Sequence, residues 1–281
     1  MSRLYSLFLY SEVSNLFVAL GLGYLAQRLL NQEVNPFLLA FISFSAFFFY
    51  SLERNLTLPS VESSIFPGKT KWIADHQRLN RVLIFLAGAL SSLLFISLRE
   101  ISQLCLLGFF FLALGYSLWP IAWRGQALKL KEVPWLKPIL LTSCWVALTL
   151  WLPMIEGGQA LNEKALFITV VWLAWIFANS VFFDIRDLEL DAAAGNRTLA
   201  MRLGKERAHQ VIQWTLFLQM CLAWAWLEQG HQPWFWALTV GSLTFLGLNY
   251  RFSRQTNLGL PFFVAADLTL VLPSLALTLW L

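Results

Sequence analysis

Apolar residues dominate nine stretches of the chain, near 13–30, 36–52, 81–98, 101–121, 134–153, 164–183, 208–227, 233–250 and 260–280. Polar and charged residues gather between them. A helix that crosses a bilayer needs about 20 mostly apolar residues, and each stretch reaches or approaches that length. The pattern predicts nine transmembrane helices in an all-α, polytopic fold, with residues 1–281 as a single domain. An odd number of spans places the two chain ends on opposite sides. Some connections are short, such as "LREIS" and "EQGHQP". On the other side two are long, 53–80 and 184–207, and a third, 122–133, is intermediate. Long connections are where function tends to reside.

Composition supports the bilayer as solvent. Of the 281 residues, 58% are hydrophobic and only 13% are charged, and the mean hydropathy is +0.62. Soluble domains sit nearer about 45–50% apolar and about 25% charged, so one globular core cannot hide this much apolar surface. No polar block is long enough for a separate soluble domain. The opening "MSRLYSLFLYSEVSN" has one basic residue and no small-residue cleavage site, and reads as a mature amphipathic start. Cys105, Cys144 and Cys221 lie isolated in apolar runs, with neither disulfide nor zinc spacing, and read as packing residues.

A net charge of +4 invites a nucleic-acid reading, and the distribution of that charge argues against it. With the N-terminus inside, 17 of the 20 lysines and arginines fall on the inner side, leaving Arg28, Arg99 and Lys164 outside. This is the positive-inside asymmetry of a membrane protein. The expected setting is therefore an inner membrane, bacterial by this reading, with the N-terminus and the long loops cytoplasmic. Membrane lipids, not nucleic acid, are the expected surroundings.

The long loop 184–207 opens on "DIRDLELD", directly after the apolar run "ALFITVVWLAWIFANSV". If the helix continues, about 100° per residue puts Asp187 about 60° and Asp191 about 20° from Asp184, on one narrow stripe. Three carboxylates this close repel one another unless a cation sits among them. Hard oxygens at a wet helix end suit Mg²⁺, which takes one or two carboxylates along with phosphate oxygens and water. A solvated acidic helix end with Arg186 as ion-pair partner accounts for the spacing equally well.

The stretch "DIRDLELDAAAGNRTLAMRLGKERA", residues 184–208, resembles the second aspartate-rich motif of the UbiA superfamily of membrane prenyltransferases. That motif is D-x-x-D-x-x-x-D, then Gly-x-x-Thr-Leu and Leu-Gly. Asp184, Asp187, Asp191, Gly195, Thr198, Leu199, Leu203 and Gly204 match it. "GYSLWP" with Lys129 and Lys131 is similar to the family's Tyr-Ser stretch and loop lysine, which brings Tyr116 into the set. The resemblance implies nine helices around a central cavity that opens to the cytoplasmic side. It also implies Mg²⁺ held by the aspartates, an isoprenyl diphosphate as donor and a hydrophobic or aromatic acceptor. Ionisation of the diphosphate would give an allylic carbocation that the acceptor attacks.

The family's first motif, N-x-x-x-D-x-x-x-D, is altered. Its place reads "FFFYSLERNLTLPS", residues 47–60, without an aspartate. Glu53 and Asn55 are the remaining oxygen donors there, with Arg54 between them. Basic residues offer a substitute charge for phosphate oxygens, among them Arg54, Lys69, Lys71, Arg78, Lys129, Lys131 and Arg197. The same residues also satisfy the positive-inside rule. A changed reaction is the alternative: a UbiA-type terpene cyclase, its cation stabilised by aromatic faces such as Trp172, Trp175 and Phe182. A second alternative is a non-catalytic lipid-binding or transport protein on the same scaffold. His76, His209 and His231 form no ligand pair, although His76 is a candidate base. Asp267, inside the last apolar run, is a candidate for a cavity or a helix–helix hydrogen bond.

Overall fold

The computed structural model describes residues 7–8, 10–57, 67–118, 120–123, 126–129, 136–193, 198–227, 232–255 and 259–280. The chain packs as two compact units, Met1–Leu98 with Asn257–Leu281, and Arg99–Thr256. Each of the nine apolar stretches is mostly helix over its described residues.

In the first unit, α1 (Val13–Leu29) and α2 (Pro36–Thr57) form an antiparallel pair joined by a tight connection. Asn31 ends α1 in the left-handed region, at φ 55°, one of the few non-glycine residues that tolerates it. Asn35 then starts α2: its Oδ1 accepts from the amides of Phe37 and Leu38 at 3.0 and 3.2 Å. Pro36 fills the first helical position, where no amide hydrogen is needed. The buried Gln27 side chain accepts from the Asn35 amide at 2.6 Å and locks the corner.

A short α3 (Pro67–Asp75) lies within the connection read as a long loop, ahead of α4 (Gln77–Ile96). The mean hydropathy of α4 is 2.0 in a window only 11% buried. Phe85, Leu93 and Ile96 are exposed at 72%, 67% and 74%. An apolar helix that its own protein leaves uncovered belongs against lipid.

The last stretch forms α5 (Leu260–Leu268) and α6 (Leu272–Trp280), two apolar helices bent by 51° at a short break. Pro273 removes one amide and crowds the preceding turn. The carbonyls of Ala266, Asp267 and Leu268 are taken by i→i+3 bonds from Thr269, Leu270 and Val271.

The second unit begins with α7 (Glu100–Leu118) and a hairpin of β1 (Pro120–Trp123) and β2 (Gln126–Lys129), paired from Pro120–Lys129 to Trp123–Gln126. This hairpin is a small addition to an otherwise helical fold, which remains all-α in class. It is the sole strand pairing among the described residues. Next come α8 (Leu136–Glu156) and α9 (Glu163–Arg186). Inside α8, Ala147–Trp151 is a π turn. Pro153 follows, and it cannot donate the bond that an α-helix would send back to Thr149. Asn162 caps α9 by accepting from the Ala165 amide at 2.8 Å. Two tryptophan–threonine bonds join these helices: Trp172 Nε1 donates to Thr149 Oγ1 at 3.2 Å, and Trp151 Nε1 to Thr169 Oγ1 at 3.1 Å.

Beyond α9 lie the short α10 (Leu188–Ala193) and α11 (Leu199–Leu203), then α12 (Lys205–Leu227) and α13 (Gln232–Arg254). Buried polar pairs tie the last two: Ser242 Oγ donates to Gln219 Oε1 at 2.6 Å, and His209 Nδ1 meets Asn249 Oδ1 at 2.7 Å. Among the described residues, three helices qualify as membrane spans by length and apolarity, α4, α8 and α9, and four if the bent α5–α6 pair is one span.

Candidate functional site

The apolar run of α9 carries its C-terminal end to the aspartates. Asp184 lies in the last turn of α9, which stops at Arg186. Asp187 follows it as a single turn residue, and α10 carries Asp191. The helix expected to run on through Asp191 is thus interrupted at Asp187. The amides of Asp187 and Asp191 still reach back four residues, to Phe183 and Asp187, at 2.9 and 2.8 Å. Asp191 therefore remains near the stripe that the spacing predicted.

The first turn of α8 supplies the partner. Lys137 Nζ lies 3.0 Å from Asp184 Oδ1 and 3.1 Å from Asp191 Oδ2. Asp184 is only 2% exposed, and its Oδ2 is buried without a hydrogen-bond partner. Asp187 has a cation from its own chain neighbour. The Arg186 guanidinium donates to both its oxygens, each at 2.6 Å, and sits 4.4 Å above the Phe183 ring. A cation does stand among the three carboxylates, as their mutual repulsion demands. There are in fact two: an ammonium between Asp184 and Asp191, and a guanidinium on Asp187.

Sequence reading missed Lys137 as a site residue and counted it only as an inner charge. Its signal was a lysine just inside the apolar run 134–153 and followed by proline, a place that a headgroup-facing lysine also takes.

The donor set bears on a metal in two ways. Asp184 and Asp191 present hard oxygens that converge on one cation, and Asp184 has an oxygen to spare, which suits a divalent ion. Among the described residues, however, no three His, Cys, Asp or Glu side chains are grouped closely enough to hold a metal. The fit is to a pair of carboxylates.

Two other motif positions have conformational work. Thr198 Oγ1 accepts from the Met201 amide at 3.4 Å and caps α11. Gly204, at φ 79° and ψ 158°, ends it in a conformation that a side chain would resist. Lys131, Arg197 and Gly195 lie outside the described residues. So do the side chains of Glu53, Arg54 and Asn55 on α2, Tyr116 on α7 and Lys129 at the end of β2.

Several candidates have other neighbours. Lys69, offered for phosphate, is buried and pairs with Glu12 at 2.6 Å. Lys71 and Arg78 are exposed. The His76 ring stacks on Trp72 at 4.5 Å. Trp172, Trp175 and Phe182 are fully buried, with Phe182 against Phe245 and Phe252 at 5.3 and 5.0 Å. These aromatic rings form packed core.

Comparison with known proteins follows the same lines. Residues 70–270 match the model of the UbiA prenyltransferase family. The fold is similar to the apo structure of a UbiA homolog from Aeropyrum pernix K1, with a TM-score of 0.62 at 12% identity over 92% of this chain and 96% of that one. It is also similar to a UbiA homolog from Archaeoglobus fulgidus bound to Cd²⁺, with a TM-score of 0.58 at 17% identity over 97% of this chain and 99% of that one. No curated protein matches the chain at a significant level.

Proposed function

Because the chain belongs to the UbiA prenyltransferase family, we propose that it is an intramembrane prenyltransferase that moves an isoprenyl group from its diphosphate to a hydrophobic or aromatic acceptor. The observation that carries the proposal is the convergence of Asp184, Asp191 and Lys137 at the end of α9, within the stretch that resembles the family's diphosphate motif. Nine spans, a cytoplasmic N-terminus and a bacterial inner membrane complete the reading.

The chemistry is a substitution at an allylic carbon. The carbon–oxygen bond to the diphosphate breaks, and its electron pair leaves with the diphosphate. The acceptor then forms the new bond to that carbon and loses a proton. A diphosphate leaves only when its charge is countered. Bound Mg²⁺ supplies part of that charge, and the relative from Archaeoglobus fulgidus bound to Cd²⁺ supports a divalent ion here. Asp184 and Asp191 hold the ion, with Asp187 beside them. Lys129, Lys131, Arg54 and Arg197 donate to phosphate oxygens, with Asn55 and Tyr116 positioning the donor. The altered first motif throws more of this work onto the basic residues. The isoprenoid tail lies among apolar helices.

The test gives purified protein Mg²⁺ and isoprenyl diphosphates of several lengths, with and without a membrane lipid extract. Prenylated product that forms only when the extract supplies an acceptor is the expected result. A hydrocarbon or terpene alcohol from the diphosphate alone would make the protein a cyclase. Consumption of no diphosphate at any length would make it a non-catalytic relative.

A further inference from the structure

We propose that Lys137 is the resident cation of the Asp184–Asp191 pair, holding the two carboxylates together without metal and competing with a divalent ion for them. The inference rests on the reading of this pair as the metal-binding part of the site. Its test does not rely on turnover.

The geometry is that of a bridging ion. One ammonium contacts an oxygen of each carboxylate at 3.0 and 3.1 Å. Those oxygens come from α9 and α10, and the ammonium from α8. A divalent ion that used both carboxylates would take the position that Nζ holds. Lys137 is tethered one residue into α8, so it is present at an effective concentration that no free ion matches. The Oδ2 atom of Asp184, 2% exposed in its residue and without a partner, is the opening left to a metal. One carboxylate oxygen makes a weak Mg²⁺ site. Charge supplies the other half of the argument. Without the ammonium, Asp184 and Asp191 lose the cation that bridges them, and a divalent ion becomes a strong means of joining them. Arg186 is committed elsewhere, its Nε and Nη2 paired with the two oxygens of Asp187.

The experiment measures Mn²⁺ binding to the full chain in detergent by electron paramagnetic resonance, together with thermal unfolding with and without Mg²⁺. The proteins are wild type, Lys137→Met and Lys137→Gln. All are purified with Mg²⁺ present, which is then removed. The glutamine variant keeps an N–H donor on a side chain one atom shorter and loses the charge. Both variants should bind Mn²⁺ about ten- to a hundredfold more tightly than wild type, the range over which outer groups tune metal sites. Both should be stabilised by Mg²⁺ more than wild type is. Adding Asp184→Asn should abolish the gain. Equal or weaker Mn²⁺ binding in the variants would overturn the proposal, since Lys137 would then support the metal. Failure of both variants to fold even with Mg²⁺ would overturn it as well, because a divalent ion must be able to take the ammonium's place. Wild-type protein that turns over no isoprenyl diphosphate while the variants gain Mn²⁺ affinity would sink the proposed function alone.

Discussion

Asp184 and Asp187 are three positions apart and live in different electrostatic worlds. Asp184 is buried and shares Lys137 with Asp191. Asp187 is more exposed and held by its chain neighbour Arg186. Both positions belong to the proposed diphosphate site, so Asp184→Asn and Asp187→Asn should each abolish turnover. Their stability should differ. Asp184→Asn removes a charged hydrogen bond between a buried carboxylate and a partly exposed ammonium, a loss of about 1.5–3 kcal/mol. Asp187→Asn gives up a partly solvated neighbour pair worth at most about 1 kcal/mol. Thermal unfolding in detergent beside the turnover assay checks both halves, and wild-type turnover in either variant would end the assignment. The meeting of Asp184 and Asp191 was legible in the sequence because side chains seven apart on a helix share a face. Lys137 was not, because its partners lie on other elements and periodicity records only neighbours along one helix. The split between Asp184 and Asp187 was half legible. Arg186 was visible as a salt-bridge partner, but which carboxylate it would take depends on where α9 stops.

At the scale of elements, apolar runs located the helices well, because hydropathy is the quantity a bilayer reads. What hydropathy lacks is the hydrogen-bond register. The π turn ahead of Pro153, the break ahead of Pro273 and the hairpin at 120–129 are all settled by which amides and carbonyls find partners. Helix contact distances were equally invisible. Gly21 of α1 is a case: a Cβ there would lie 2.9 Å from Val271 Cγ1 and 3.3 Å from the Val271 backbone. Gly247 of α13 has nothing within 4 Å of the same point. Gly21→Val should therefore destabilise the protein by about 1–3 kcal/mol through overpacking against the bent span. Gly247→Ala should raise stability by about 0.5–1 kcal/mol, since alanine loses less backbone freedom in a helix. Comparing the two by unfolding in one detergent separates a packing glycine from an incidental one. Equal effects would mean that α1 has room to move away from Val271.

At the scale of the whole molecule, the strongest signal is a sum over many residues. No single lysine or arginine defines an orientation, yet 17 of 20 fall on one side of the nine-span reading. Several helices run on from apolar residues into basic ones. α12 begins at Lys205, before its apolar run, α13 continues to Arg254 after its own, and α9 stops at Arg186. Helix thus extends past the apolar stretches at the ends that carry basic residues. Carrying lysine or arginine into the bilayer centre costs roughly 2.5–3.5 kcal/mol each on insertion scales, so inverting the chain would strand a large charge on the wrong side. Alkaline phosphatase fused at successive points in a bacterial host, active only outside the inner membrane, tests the arrangement. A fusion after Gly158, between α8 and α9, should be active. Fusions after Arg202 and after Arg254 should be silent, and a fusion after Leu281 should be active again. The last is the most demanding, because it requires the bent α5–α6 pair to cross completely despite its 51° break. A silent reporter there, with the other three as expected, would make that pair a re-entrant hairpin and leave eight spans with both ends inside. Reversal of all four would invert the protein and place Asp184, Asp191 and Lys137 on the side where no isoprenyl diphosphate is made.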